Sequence, residues 1–166
     1  MNHEHFMTQA LQQAETALAA GEFPVGCVMV HENRIIATGA RVGSTGDCPN
    51  EVDHAEMVAL KRLISLKSNI NFREVTLYST LEPCLMCFGA LIISDIGEIV
   101  FAYEDAMGGG TQCDFTQLPP LYKEKQISVV PNILRPKSLQ LLKVFFSNPD
   151  NTYLKDSLLA TYTLRQ

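Results

Sequence analysis

The sequence has no apolar run approaching the ~18 residues that a membrane-spanning helix requires, so no helical membrane span is expected among its 166 residues. It has no surplus of cations either: 13 Lys and Arg stand against 18 Asp and Glu, a formal charge of −5. General affinity for nucleic acid relies on clustered Lys and Arg that displace counterions from phosphates, so this balance disfavours it, although a local basic patch remains compatible with it. The first residues, MNHEHFMTQALQQAETALAAG, carry acids where a secretory leader carries lysines, and the five cysteines are an odd count, poor material for a disulfide framework. Reduced thiols and a cytoplasmic location are expected. With 46% hydrophobic and 19% charged residues the chain is not of disordered composition. Nothing in it reads as a repeat, a low-complexity tract or a linker, so residues 1–166 are treated as one domain of ordinary size.

Apolar residues recur at helical spacing through Phe6, Ala10, Leu11, Ala14, Ala17 and Leu18, which predicts a helix over about 4–20 that stops at Gly21. VGCVMV (25–30) and RIIATG (34–39) flank a polar turn and predict a β-hairpin. The stretch 40–53 is rich in Gly, Pro, Asp and Asn without periodicity and reads as an unusually long loop. A helix over 54–67 with Asp53 as its N-cap, a strand over 75–80, and a helix over 84–95 with Pro83 in its first turn follow. Strands over 98–103 and 127–131, separated by a Gly-rich loop, precede helices over 136–147 and in the final segment. This order predicts an α/β fold of three layers, α/β/α, around a five-stranded mixed sheet, in which the hairpin strands are antiparallel and strands joined through one helix are parallel.

Two short motifs carry chemistry, Asp53-His54-Ala55-Glu56 and Glu82-Pro83-Cys84-Leu85-Met86-Cys87, and each opens a predicted helix. Thiols three residues apart share one face of the first turn, where the partial positive charge of the helix end favours the thiolate that binds metal. His54 is the natural third ligand, and no fourth of comparable quality is present: His3 and His5 lie at a terminus expected to be mobile, and His31 belongs to the hairpin turn. Structural zinc is usually closed by four protein ligands, whereas catalytic zinc keeps three and leaves the last position to water, so one catalytic Zn²⁺ per chain is predicted on His54, Cys84 and Cys87. Glu56 is the candidate proton carrier. Residues two apart in mid-helix point to nearly opposite sides, so His54 and Glu56 can share a site only at a helix start. Of the other cysteines, Cys27 reads as a buried hydrophobe, and Cys48 and Cys113 lie in polar loops.

HAE followed about thirty residues later by PCxxC is the signature of the zinc nucleobase deaminases. The chain resembles the cytidine/deoxycytidylate deaminase superfamily, on the branch of bacterial tRNA adenosine deaminases and guanine deaminases, over nearly its whole length. GEFPVGCVMV resembles the first strand, HAEMVAL the helix of ligand and proton shuttle, TLEPCLMCFGALIISDIGEIVFAYEDA the second metal helix with its following strand, and LLKVFF the last helix of the tRNA enzymes. The resemblance implies zinc on His54, Cys84 and Cys87, Glu56 as general acid/base, hydrolytic release of ammonia from a nucleobase or nucleoside, and a homodimer.

The departures concern the substrate. Where the tRNA enzymes carry an Asn that hydrogen-bonds the substrate, this chain has Gly39-Ala40-Arg41-Val42-Gly43, and its loop to His54 is about two residues longer. Either Asn50 substitutes from a rebuilt loop or the substrate differs, and Arg41, Asn50 and Asp105 are the substrate candidates. Asp105 could accept a hydrogen bond from a ring N–H or an amine; Glu82 is read as structural; Phe23 and Phe115 are read as core more than as stacking surfaces. The C-terminus lacks the cluster of cations found in tRNA enzymes, which disfavours tRNA and leaves a small free base such as guanine or cytosine as the alternative. A non-catalytic zinc scaffold, or a redox pair at Cys84 and Cys87, are the readings from other classes.

Overall fold

The apolar stripe of the first helix, α1 (His3–Ala19), buries Phe6, Met7, Ala10, Leu11, Ala14 and Ala17, and the chain turns at Ala20 and Gly21. The computed structural model describes residues 2–67 and 69–166. β1 (Gly26–His31) and β2 (Arg34–Ala40) form the hairpin. Its two-residue turn is taken by Glu32 and Asn33, both at positive φ, as the twist of a tight hairpin requires. After the loop come α2 (Ala55–Ser65), β3 (Thr76–Leu81), α3 (Leu85–Ile93) and β4 (Glu98–Tyr103). A second long loop leads to the short α4 (Pro120–Lys123), then β5 (Ser128–Val130), α5 (Arg135–Ser147) and α6 (Leu158–Arg165).

The five strands lie in the order β2-β1-β3-β4-β5. β1 is antiparallel to both neighbours, and β3, β4 and β5 are parallel. β2 and β3, joined through α2, therefore run in the same direction with β1 between them. Alternation along the strands divides the core: Val28, Val30, Tyr78, Val100 and Ala102 face α1, while Cys27, Met29, Leu77, Ile99 and Phe101 pack against Ala59, Leu63, Phe88 and Leu91 of α2 and α3. This is the three-layer mixed-sheet architecture expected from the sequence.

Several local expectations are corrected. Asp53 does not cap α2; its carboxylate is held by Lys61 and Asn50, and His54 occupies the N-cap. Pro83 precedes the N-cap Cys84 and so lies outside α3. The last segment becomes helical only at Leu158, and α4 was not foreseen, its four residues being too few to show periodicity. His3 is fixed on α1 with Nδ1 3.0 Å from the Tyr78 hydroxyl.

Two features set where the ends of this fold lie. A Cβ at Gly39 would sit 2.0 Å from the Ala55 carbonyl oxygen, so the start of α2 rests on β2 only because position 39 carries no side chain. At the other end, Arg135 makes a two-pronged pair with Glu104, which also accepts the Tyr162 hydroxyl at 2.7 Å, pinning α5 and α6 to the end of β4. The guanidinium, with help from Tyr162, lowers the Glu104 carboxyl from the ordinary 4.5 to about 2.

Gly39→Ala is expected to lower Tm by roughly 2–12 °C, the range for overpacking by about 1–3 kcal/mol in a chain of this size. A thermal melt monitored by circular dichroism checks this. Because folding depresses the Glu104 pKa, its contribution to stability is complete above 4.5 and is lost as pH falls toward 2. Glu104→Gln should therefore be less stable than the parent at pH 7, by on the order of 1 kcal/mol. The gap should close between those two pH values in melts taken across the acid range.

Candidate active site

Two helix starts meet at the ends of β2 and β3. His54 is the N-cap of α2 with φ −63° and ψ 158°, and Cys84 is the N-cap of α3 with φ −66° and ψ 169°. Both are extended, neither side chain caps its own helix, and each projects past the helix end. Pro83 keeps α3 from reaching further back, since the residue before a proline, here Glu82, is driven to extended backbone. Cys87 follows within the first turn of α3 and is fully buried.

His54 Nδ1 lies 3.6 Å from the Sγ atoms of both Cys84 and Cys87, and the three ligand atoms fall within 4.8 Å of one another. A sulfur about 2.3 Å and a nitrogen about 2.0–2.1 Å from one tetrahedral centre would themselves be about 3.6 Å apart. Both nitrogen–sulfur distances therefore match those of a tetrahedral zinc site. The charge of the donor set is also suitable. The Cys84 thiol is lowered to about 4, first by hydrogen bonding from Cys87 and then by His54, while Cys87 is raised because it keeps the shared proton and is buried. The thiolate beside it raises the His54 imidazole. A divalent cation binding here would displace the remaining thiol proton.

Glu56, 3% exposed, points into the same volume. Its Oε1 accepts the Ser79 hydroxyl at 3.2 Å, and its Oε2 lies 3.6 Å from Cys87 Sγ. Burial raises its pKa. The helix-start geometry thus allows two residues of an H-x-E sequence to reach one place.

His54, Glu56 and Cys84 line a cavity of about 230 Å³ whose other walls include Phe23, Arg41, Leu81, Asp105, Tyr153 and Leu159. Asp105 Oδ1 accepts the N–H groups of Met107 and Gly108, and Oδ2 has no hydrogen-bond partner among the described residues. Burial raises the Asp105 pKa. Glu82 has the structural role expected of it: it takes the Thr111 N–H and hydroxyl on one oxygen and the Asp105 N–H on the other. The glycine run is a close-packed strap, with Gly109 bridged to Cys84 and a Cβ there only 2.4 Å from Glu82 Oε2.

Arg41 reaches the cavity wall but its guanidinium is spent on the protein. Nη1 donates to the carbonyls of Val42, Asn50 and Asp53, and Nη2 donates to Glu51 and the Tyr153 hydroxyl. Asn50 is not brought to the site: its Oδ1 accepts the N–H groups of Val52 and Asp53, and its Nδ2 donates to Asp53. Phe23 is buried and lines the cavity, and Phe115 stacks on Phe88 with ring centroids 5.3 Å apart. Sequence reasoning missed Glu51, Tyr153, Leu154 and Leu159. A lone aromatic after the Asn-Pro-Asp break and a lone acid in a polar loop have no spacing that ties them to His54.

The family described as the cytidine and deoxycytidylate deaminase zinc-binding region matches residues 1–103, which include His54, Glu56, Cys84 and Cys87. tRNA-specific adenosine deaminase 2 of Xenopus tropicalis is 37% identical over 113 residues, 64% of this chain and 65% of that protein, so the match spans just under two thirds of that relative. A solved structure from studies of A-to-I editing by tRNA:A34 deaminases at the wobble position aligns with a TM-score of 0.69 and 27% identity, over 82% of this chain and 98% of that one. Guanine deaminase from Bacillus subtilis aligns with a TM-score of 0.57 and 31% identity, over 63% and 66% of the two chains. With three ligand atoms converging at two helix starts and a family match over more than half its length, the chain belongs to the cytidine and deoxycytidylate deaminase zinc-binding family.

Proposed function

We propose that this chain is a zinc-dependent hydrolytic deaminase that removes an exocyclic amine from a nucleobase or nucleoside as ammonia, similar in action to the tRNA adenosine deaminases. The observation that carries this reading is the convergence of His54, Cys84 and the buried Glu56 on one cavity, with Cys87 completing the cluster of ligand atoms. Its volume lies below the roughly 300–1,000 Å³ of drug-sized sites, which suits a single base. Zinc, when held by His54, Cys84 and Cys87, supplies the Lewis acidity that makes water a competent nucleophile near neutral pH. Glu56 takes a proton from the attacking water and returns it to the departing amine, so that amine and water become carbonyl and ammonia. Ser79 fixes one carboxylate oxygen and leaves Oε2 on the side of the thiols. Burial keeps the carboxyl able to gain as well as lose a proton.

A second reading, deamination of a small free base, is favoured by Asp105. Its Oδ2 is an acceptor in the cavity wall, whereas adenine offers ring acceptors and only the amine as donor. A base with ring N–H groups, such as guanine, matches that acceptor better, and the charge of −5 favours a small substrate over a polyanion. On either reading residues 1–166 act as one deaminase domain, and the five free cysteines suit a reducing cytoplasm. No helix among the described residues is long and apolar enough to cross a membrane.

The exposed face of α3 presents Leu85, Met86 and Ile93, with Gly89 leaving the surface open between them. We assign it to a second copy of this chain, in keeping with the dimers implied by the family resemblance.

Zinc-loaded protein should release ammonia from one member of a panel containing a wobble-adenosine anticodon stem-loop, adenosine, guanine, guanosine and cytosine. Turnover of the stem-loop alone supports the tRNA-like reading, and turnover of guanine without stem-loop binding moves the assignment to a free base. Glu56→Gln should lose about 10²–10⁴-fold in rate, and chelation should abolish activity until zinc is restored. A Glu56→Gln variant as fast as the parent would sink the assigned proton transfer. In sedimentation equilibrium the 18.4 kDa chain should have twice its monomer mass, and Leu85→Glu with Ile93→Glu should return it to monomer.

A further inference from the structure

His54 has two ring nitrogens, and only one is explained by the metal ligands. Nδ1 faces the two Sγ atoms, so in a neutral imidazole bound through Nδ1 the proton is on Nε2. Nε2 is buried, and it is the one buried side-chain polar atom without a hydrogen-bond partner among the described residues. Leaving a buried donor unsatisfied is costly, which makes an unpaired histidine at the centre of a site an anomaly to be explained.

The acid facing it is Glu51, whose Oε2 lies 3.6 Å from Nε2. The Glu51 side chain is more than half exposed, yet it is not left to move with solvent. The same Oε2 accepts the Tyr153 hydroxyl at 2.9 Å and Arg41 Nη2 at 3.2 Å. Arg41 is 2% exposed and is itself fixed by three backbone carbonyls of the loop it opens, and its guanidinium lies 5.7 Å from the Tyr153 ring centroid. Two donors from distant parts of the chain thus hold one carboxylate oxygen beside the outer nitrogen of His54. Closing that gap into a hydrogen bond takes a movement of about 0.5 Å.

We propose that Glu51 is the positioning residue of the metal centre: it accepts the His54 Nε2–H and so fixes the tautomer and ring orientation that present Nδ1 to the metal, while Arg41 and Tyr153 hold Glu51 in place. The C-terminal segment then contributes to metal binding through Tyr153 without touching the metal. The inference rests on the zinc-binding reading of His54, Cys84 and Cys87, and it is independent of which base is deaminated. Outer carboxylates on metal-bound histidines typically contribute 10–100-fold in metal affinity.

The test is zinc affinity, measured by competition with a chromophoric chelator, together with the absorption spectrum of the cobalt-substituted protein. Glu51→Ala should weaken zinc binding by about 10–100-fold and shift the cobalt bands. Glu51→Gln, which keeps an acceptor oxygen, should retain most of the affinity. Tyr153→Phe, which removes one hydroxyl and keeps the ring, should weaken zinc binding less than Glu51→Ala does, and it decides the matter if Glu51→Ala does not fold. If Glu51→Ala, or in its place Tyr153→Phe, folds and binds zinc with parental affinity and an unchanged cobalt spectrum, the proposal is overturned while the deaminase reading stands. A parent protein that binds no zinc would overturn both.

Discussion

The site depends on one backbone constraint, which is that an N-cap residue is extended while the residues after it are helical. At such a position the side chain leaves along the helix axis and not from its flank. α2 and α3 each begin with a metal-ligand type of residue at this position, and their N-cap dihedral angles agree within about ten degrees. Because β2 and β3 run in the same direction, their ends deliver both helix starts to one edge of the sheet. The positive ends of two helices then point at a shared volume, where hydrogen bonds from Cys87 and His54 stabilise thiolate at Cys84 and where Glu56 lies within reach. A general rule of open α/β sheets, that sites form beyond the carboxyl ends of strands, has here a specific cause in two N-caps.

This explains which parts were legible. H-x-E and PCxxC are informative because the chemistry needs those residue types at a helix start, and a helix start leaves marks in sequence: a proline at position 83, a polar loop before position 54, an apolar period afterwards. The sheet was legible for a similar reason, since alternation and β-branched runs report burial directly. Asp53 was misread as the N-cap of α2 because aspartate is common there. The structure gives that place to His54, whose side chain is turned away from its own helix toward the cysteines. Cap preferences average over many helix starts, and at this one the side chain faces the cysteines and makes no cap hydrogen bond.

The walls of the cavity were hidden because they are non-local. Tyr153 is 112 residues from Arg41 and 102 from Glu51, and Leu159 comes from a helix that is seated by the Tyr162–Glu104 hydrogen bond. Such contacts are decided by how α5 and α6 dock, which depends on packing and on the path of an irregular segment, and neither leaves a period in the sequence. Asp105 lay between these cases. It follows a legible strand and precedes a legible glycine run, but which of its oxygens would be consumed by the loop itself became visible only in the fold.

Arg41 changes how substrate choice is to be understood. Burying a guanidinium carries a desolvation penalty of several kcal/mol, and here it is offset by three carbonyls, one carboxylate and an aromatic ring. Every one of these partners except Tyr153 belongs to the loop between β2 and α2. That loop is therefore organised around an internal cation, which takes up three of its carbonyls and the Glu51 carboxylate. Under the proposed deaminase reading, the groups left to discriminate between bases are the open oxygen of Asp105 after β4 and the apolar surface of Phe23, Leu81 and Leu159. An acceptor on one side of an apolar slot selects for a ring N–H lying in the plane of the base.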